Sequence, residues 1–234
     1  MKKNMLVAGA GKGIGLKTAR LLAETCNVLT ISRNLTPELD RLATRFYELD
    51  LVTDNLDPLD DLPEAIHGMV YCPGSINLKP FQRLERSDFF EDFEQNVWGA
   101  VALIQKILPR LKAANGASLV LFSTVASRLG MPFHASIAAS KSAVEGLAKS
   151  LAAELVSSQV RVNVIAPSLV NTSLAEGLLN SDSKKESAAN RHPLKRIGEP
   201  ADIASLAVYL LSEESGWMTG QIIGVDGGLG SLKV

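Results

Sequence analysis

Four glycines, Gly9, Gly11, Gly13 and Gly15, fall within seven residues, with Lys12 and Ile14 among them. An apolar run at 5–8 precedes them, and Leu16, Ala19, Leu22 and Ala23 follow at helical spacing. Strand, glycine turn and helix together describe a phosphate cradle. The glycines remove side chains so that an anion can approach the backbone, and the helix aims its free N–H groups and positive dipole end at it. A second cation, Arg33, closes the apolar run at 27–32. In dinucleotide-binding folds this position meets the adenosine ribose. An acidic residue there holds the 2′-hydroxyl of NAD, whereas an Arg accommodates the 2′-phosphate of NADP, and its planar fork matches phosphate oxygens. Arg33 and Lys12 together favour NADP(H) over NAD(H). Cys26 and Cys72 have neither metal-ligand nor redox spacing, and no metal site is expected.

These residues require a scaffold of alternating elements. Apolar runs at 5–8, 27–32, 46–49, 66–72, 117–123, 160–166 and 221–225 read as about seven strands. Between them lie helical patterns: a long one over 87–111 with Ser87 as N-cap and Phe90, Phe93, Val97, Val101 and Ile104 facing inward, an Ala-rich one over 134–156, and one opened by Pro200. Alternation of this kind predicts an α/β fold: a doubly wound parallel sheet in three layers, with right-handed crossovers. Neither a repeat nor a linker divides it, so residues 1–234 read as one dinucleotide-binding domain. The polar stretch 167–196, poor in periodicity, reads as the place for a mobile substrate lid at about 173–196.

The 234 residues suffice for one large core. A net charge of −1 gives no reason to expect nucleic acid or an anionic membrane as partner. Lys2 and Lys3 before an apolar run mimic a secretory signal, but the run is short and Lys12 interrupts it, so it reads as the first strand. No stretch approaches the roughly 20 apolar residues of a membrane span, and two unpaired cysteines suit a reduced, cytoplasmic setting.

The motifs, in their order and spacing, resemble the short-chain dehydrogenase/reductase family over nearly the whole chain. Gly9, Gly13 and Gly15 match its glycine pattern, and Lys12 stands where NADP-dependent members often carry a basic residue. The resemblance implies a Rossmann-type sheet and a set of site residues. Asp50, with Leu51 beside it, would hold the adenine. Gly74 would follow the fourth strand. Pro167, Val170 and Thr172 would lie along the nicotinamide. Asn96 and Lys141 would belong to the catalytic group, Lys141 also binding the nicotinamide ribose. The segments from His192 to Pro200 and from Thr219 to Gly228 resemble the family's C-terminal signature. It also implies dimers or tetramers through the helices at 87–111 and 134–156.

The departures bear on activity. The family's catalytic Tyr lies four residues before its Lys; here Ile137 occupies that position. A Tyr there would hold its hydroxyl near the ammonium, which pulls the phenol toward working pH and makes it the proton donor. Ile has no proton to give, and losing a general acid costs about 10²–10⁴ in rate. The family's catalytic Ser position falls on Thr124, beside Ser123. His134, three residues before Ile137, shares its helical face if the helix has already begun there, and its ordinary pKa suits an acid. The sequence thus predicts an NADP(H)-dependent oxidoreductase acting on a carbonyl, hydroxyl or enone small molecule. Lys141, Thr124 and Asn96 would arrange the reactants, and His134, a water or the substrate would supply the proton. Leu129, Met131, Phe133, Leu174 and Leu178 would make the substrate pocket apolar. The alternatives are an NADP(H)-binding protein without turnover, as sensor or silent oligomer partner, and a structural subunit with a vestigial site.

Overall fold

A computed structural model describes residues 2–233. Seven strands form one sheet: β1 (Asn4–Ala8), β2 (Asn27–Ser32), β3 (Arg45–Glu48), β4 (Gly68–Tyr71), β5 (Ser118–Phe122), β6 (Arg161–Pro167) and β7 (Ile222–Val225). Their spatial order is β3-β2-β1-β4-β5-β6-β7 and every pairing is parallel. The order reverses between β1 and β4, the switch point at which open α/β sheets bind ligands beyond their carboxyl ends. Alternate residues supply two cores. Leu6, Ala8, Leu29 and Ile31 pack on one face, and Met5, Val7, Val28 and Val70 on the other. The first core takes in α4 (Gly99–Ala113) and α5 (Ala135–Leu155). The second takes in α1 (Gly13–Ala23) and α7 (Pro200–Leu211), which also lie against each other. No helix among the described residues is long and apolar enough to cross a membrane.

Four local expectations need correction. The helix expected over 87–111 is two helices, α3 (Arg86–Phe93) and α4, joined by a π turn over Glu94–Trp98. Its N-cap is Glu85 rather than Ser87, because Glu85 and Asp88 form a reciprocal capping box. Phe90 and Phe93 face outward, 51% and 45% exposed. The buried side of α3 is polar, with Asp88 and Asp92 turned in because both carboxylates find donors there, while the Arg86 guanidinium covers the Phe90 ring. Finally, the lid segment is not irregular. It holds a 3₁₀ turn over Ser173–Leu178 and a helix, α6 (Asp182–Arg191), capped by Ser181 and closed on a small cluster of Ala175, Leu179 and Ala188. A short helix, α2 (Pro37–Leu42), was not expected; Thr36 caps it and Pro37 opens it.

Candidate active site

A cleft of about 380 Å³ lies at the switch point, within the usual range for small-molecule sites. Gly9, Gly11, Lys12, Gly13, Ile14 and Gly15 wall it on one side; Arg33, Asp50, Leu51, Gly74 and Thr172 line the remainder. The loop is held by Gly9 and Ala10 donating to the Ile31 carbonyl, and Gly9 and Gly13 sit at φ +75° and +58°, where a side chain is strained. At Gly11 an added Cβ would meet only the Ser32 hydroxyl, which can rotate away. Lys12 caps α1 without any side-chain hydrogen bond, and no acidic residue occupies the first turn. The open N–H groups of α1 are therefore left for an anion. The cradle fits a dinucleotide pyrophosphate. At the adenosine end the Arg33 side chain is 69% exposed, with only a 3.8 Å approach to Asp50 Oδ2. Asp50 is fixed by accepting from Val52 N, while its own N–H donates to Asp54.

The opposite end rests on side chains. Lys141, on α5, is buried and donates to the Phe122 carbonyl at 3.0 Å. Burial lowers its ammonium from the ordinary range to about 8, partly offset by the field of Asp92, the Cys72 thiol being neutral. Asn96 Nδ2 donates to the Asp92 carbonyl at 2.7 Å and to Ser75 Oγ at 3.0 Å. By taking the carbonyl that a regular α-helix would offer to its own N–H, Asn96 accounts for the π turn. Asn96 Oδ1 is buried without a partner. It and Lys141 Nζ both border Gly74, 3.2 and 3.5 Å from where a Cβ would stand. Asp92 receives Ser75 Oγ at 2.5 Å and also the Ser136 hydroxyl.

The other expected residues are placed as follows. Thr124 Oγ1 accepts from Ala126 N and caps a 3₁₀ turn, while Ser123 and Ser127 both donate to Glu145. Ile137 is buried in the first turn of α5. His134 lies before the first turn of α5, not on it, and its Nδ1 is 2.6 Å from the Pro132 carbonyl. The His134 carbonyl accepts the first helical bond, from Ala138 N. Pro167 ends β6 and Val170 is buried against Gly198; neither is in the wall of the cleft. Tyr71 is a strand residue whose hydroxyl donates to the Gln95 carbonyl, with Gly99 making room for it. The Cys72 thiol is pushed up to about 12 by burial, which leaves it inert at neutral pH. Among the lid residues only Ser173 and Leu174 reach the cleft. Sequence reasoning missed Gln95, Ser32 and Asn34, which line the cleft, and Asp92 and Ser75, which line a neighbouring pocket that shares Gln95. Ser32 and Asn34 flank Arg33 at a strand end and were within reach of the same argument. Asp92 had no signal, since a lone carboxylate in a helix reads as a solvated face.

The model of a family described as enoyl-(acyl carrier protein) reductase matches residues 9–230. A 3-oxoacyl-(acyl-carrier-protein) reductase of Thermotoga maritima is 31% identical, with 97% of each chain covered. Among solved structures, a short-chain type dehydrogenase/reductase from Mycobacterium ulcerans superposes with a TM-score of 0.89 at 30% identity, over 97% of this chain and 89% of that one. RhlG of Pseudomonas aeruginosa, in a complex with NADP, gives 0.91 at 26% identity over 97% and 96%. The match over most of the chain, the shared identity and the common sheet have one meaning: this chain belongs to the short-chain dehydrogenase/reductase family and is an oxidoreductase of carbonyl or hydroxyl groups.

Proposed function

We propose that the chain is an NADP(H)-dependent reductase of an apolar carbonyl or enone substrate. The observation that carries this reading is the pairing of Lys12 and the exposed Arg33 around the open end of α1, with no acidic side chain on the adenosine side other than Asp50, which is engaged in its own turn. Two cations there favour a 2′-phosphate. The NADP complex of the Pseudomonas protein supports the same cofactor class, and the Thermotoga relative supports reduction of an acyl-type ketone. Gly9, Gly11, Gly13, Ile14 and Gly15 would hold the pyrophosphate, Asp50 and Leu51 the adenine, and Lys141 the nicotinamide ribose. Gly74 and Thr172 would border the nicotinamide, Pro167 and Val170 would support that segment from outside the cleft wall, and Thr124 and Asn96 would order the reacting end. A bound reduced nicotinamide supplies the hydride.

Leu129, Phe133, Leu174 and Leu178 are each more than a third exposed, an apolar rim for an apolar substrate beneath a lid at 173–196. Ala135, Ala139, Ser142, Gly146 and Ala153 form an exposed small-residue face on α5, and Phe90, Phe93 and Trp98 an exposed aromatic one on the adjoining helices. Both suit a homodimer or homotetramer. Cys26 and Cys72 are free thiols, in keeping with a reducing cytoplasm.

The test is NADPH consumption over a panel of ketones, aldehydes and enones, with NADH and Ile137→Tyr run alongside. Turnover by the natural chain with NADPH preferred is expected. NADPH binding without turnover in the natural chain, restored by Ile137→Tyr, would favour a silent binding protein. Failure to bind NADPH would sink both.

A further inference from the structure

Removing the phenol leaves a reductase without its usual proton donor, and the cluster under Ile137 contains a replacement. Resting on the reading above, we infer that the Lys141 ammonium itself protonates the reduced carbonyl oxygen, with buried Asp92 as the counter-charge that keeps it loaded. Three observations carry this. Among the described residues, Lys141 Nζ has one acceptor, the Phe122 carbonyl, so further N–H bonds are available toward the cleft wall at Gly74. Ile137 is shorter than a tyrosine, so a carbonyl can come closer to α5 than in a phenol-bearing relative. Asp92 is 1% exposed and accepts from Ser75, the residue after Gly74, and from Ser136, the residue before Ile137.

The other titratable groups around Lys141 leave Asp92 as its partner. Cys72, at the end of β4, is held as a neutral thiol. Glu145, one turn further along α5, is engaged by Ser123, Ser127 and Arg128. Asp88, one turn back on α3, accepts from Lys79, Asn77 and the Glu85 backbone. An acid poised near working pH is the most effective donor, and burial places Lys141 there. In the step, hydride reaches the carbonyl carbon and the carbonyl π pair becomes a lone pair on oxygen. One N–H bond of Lys141 breaks, its electrons stay on Nζ, and the proton forms the new O–H bond. The neutral amine then recovers a proton from solvent. Ser75, Asp92 and Gln95 border a second pocket of about 420 Å³, so Asp92 is within reach of water on that side.

The experiment measures kcat/KM against pH for NADPH-dependent reduction, with NADPH affinity followed separately by fluorescence. The natural chain should lose activity above about pH 8, because the donor is the protonated form. Asp92→Asn removes the counter-charge and should move that limb down by about one pH unit, a roughly fivefold lower rate at pH 8. Lys141→Arg keeps a cation for the ribose but cannot release a proton. It should abolish the limb and lower kcat about 10²–10⁴-fold with NADPH affinity within tenfold. Independently of turnover, the Lys141 side-chain resonance of the selectively labelled apoprotein should titrate lower in Asp92→Asn. Overturning results are a limb that Asp92→Asn leaves in place, a Lys141→Arg rate within tenfold of the natural one, or a limb lost in His134→Ala. A natural chain that is silent while Ile137→Tyr turns over also overturns it, and leaves the reductase pocket standing. If neither turns over although NADPH binds, the reductase reading falls and the proton donor with it.

Discussion

The two ends of the cleft are built from different materials. The phosphate end is backbone: uncapped N–H groups of α1, a loop held to the Ile31 carbonyl, and glycines whose contribution is the absence of atoms. The other end is side chain: Asn96, Asp92, Ser75 and Ser136 satisfy one another in a buried cluster, and Lys141 is tied to the Phe122 carbonyl. A backbone site tolerates almost no change in the few residues that shape it and is indifferent to the rest. A side-chain site can lose one group and redistribute the work among its neighbours.

The sharpest way to break that contrast is at the glycines. A Cβ on Gly15 would stand 2.9 Å from the Gly9 carbonyl carbon and 3.2 Å from Ala10 Cα, all backbone. Gly15→Ala should cost about 3 kcal/mol in denaturant unfolding and abolish NADPH binding; a soluble variant with native affinity would refute a backbone-built cradle. Next, Lys12→Ala with Arg33→Ala should weaken NADPH about 10–100-fold in direct titration and leave NADH nearly unaffected, as for lost charge-assisted bonds to one phosphate. Equal losses for both cofactors would remove the case for a 2′-phosphate site.

On the side-chain end, Ser136→Ala takes one donor from buried Asp92 and should destabilise by about 2 kcal/mol, read from the urea midpoint. Tyr71→Phe removes the hydroxyl that ties β4 to the Gln95 carbonyl in the π turn, a loss of about 1 kcal/mol. The smallest signal is chemical. At pH 8 Cys72 should alkylate far more slowly than Cys26, because so little of its thiol is ionised.

The same division explains what could be read in advance. The cradle was legible because glycine spacing between a strand and a helix admits few structures, and the seven strands because their apolar runs are continuous. The side-chain end was legible only where motif spacing marked it: Asn96 and Lys141, which the structure brings together beside Gly74. Asp92 and Ser136 were opaque, since each looks like an ordinary helix-surface residue until the helices are packed. Phe90 and Phe93 misled for the same reason. On α3 the acids are partnered inside and the aromatics stand outside, an inversion that periodicity reads the wrong way round.

The π turn at Asn96 puts one residue more into the coil than a regular helix would hold. Each residue turns a helix by about 100°, so the insertion acts as a phase shifter between two segments that run on as one rod. Upstream of it, Asp88 and Asp92 point into the protein; downstream, Leu103, Ile104, Ile107 and Leu111 do. Excising a single residue there would put the two halves back in step and rotate one of these faces into water. The rod's length and position could survive such an edit, but its polar and greasy sides would no longer both look inward.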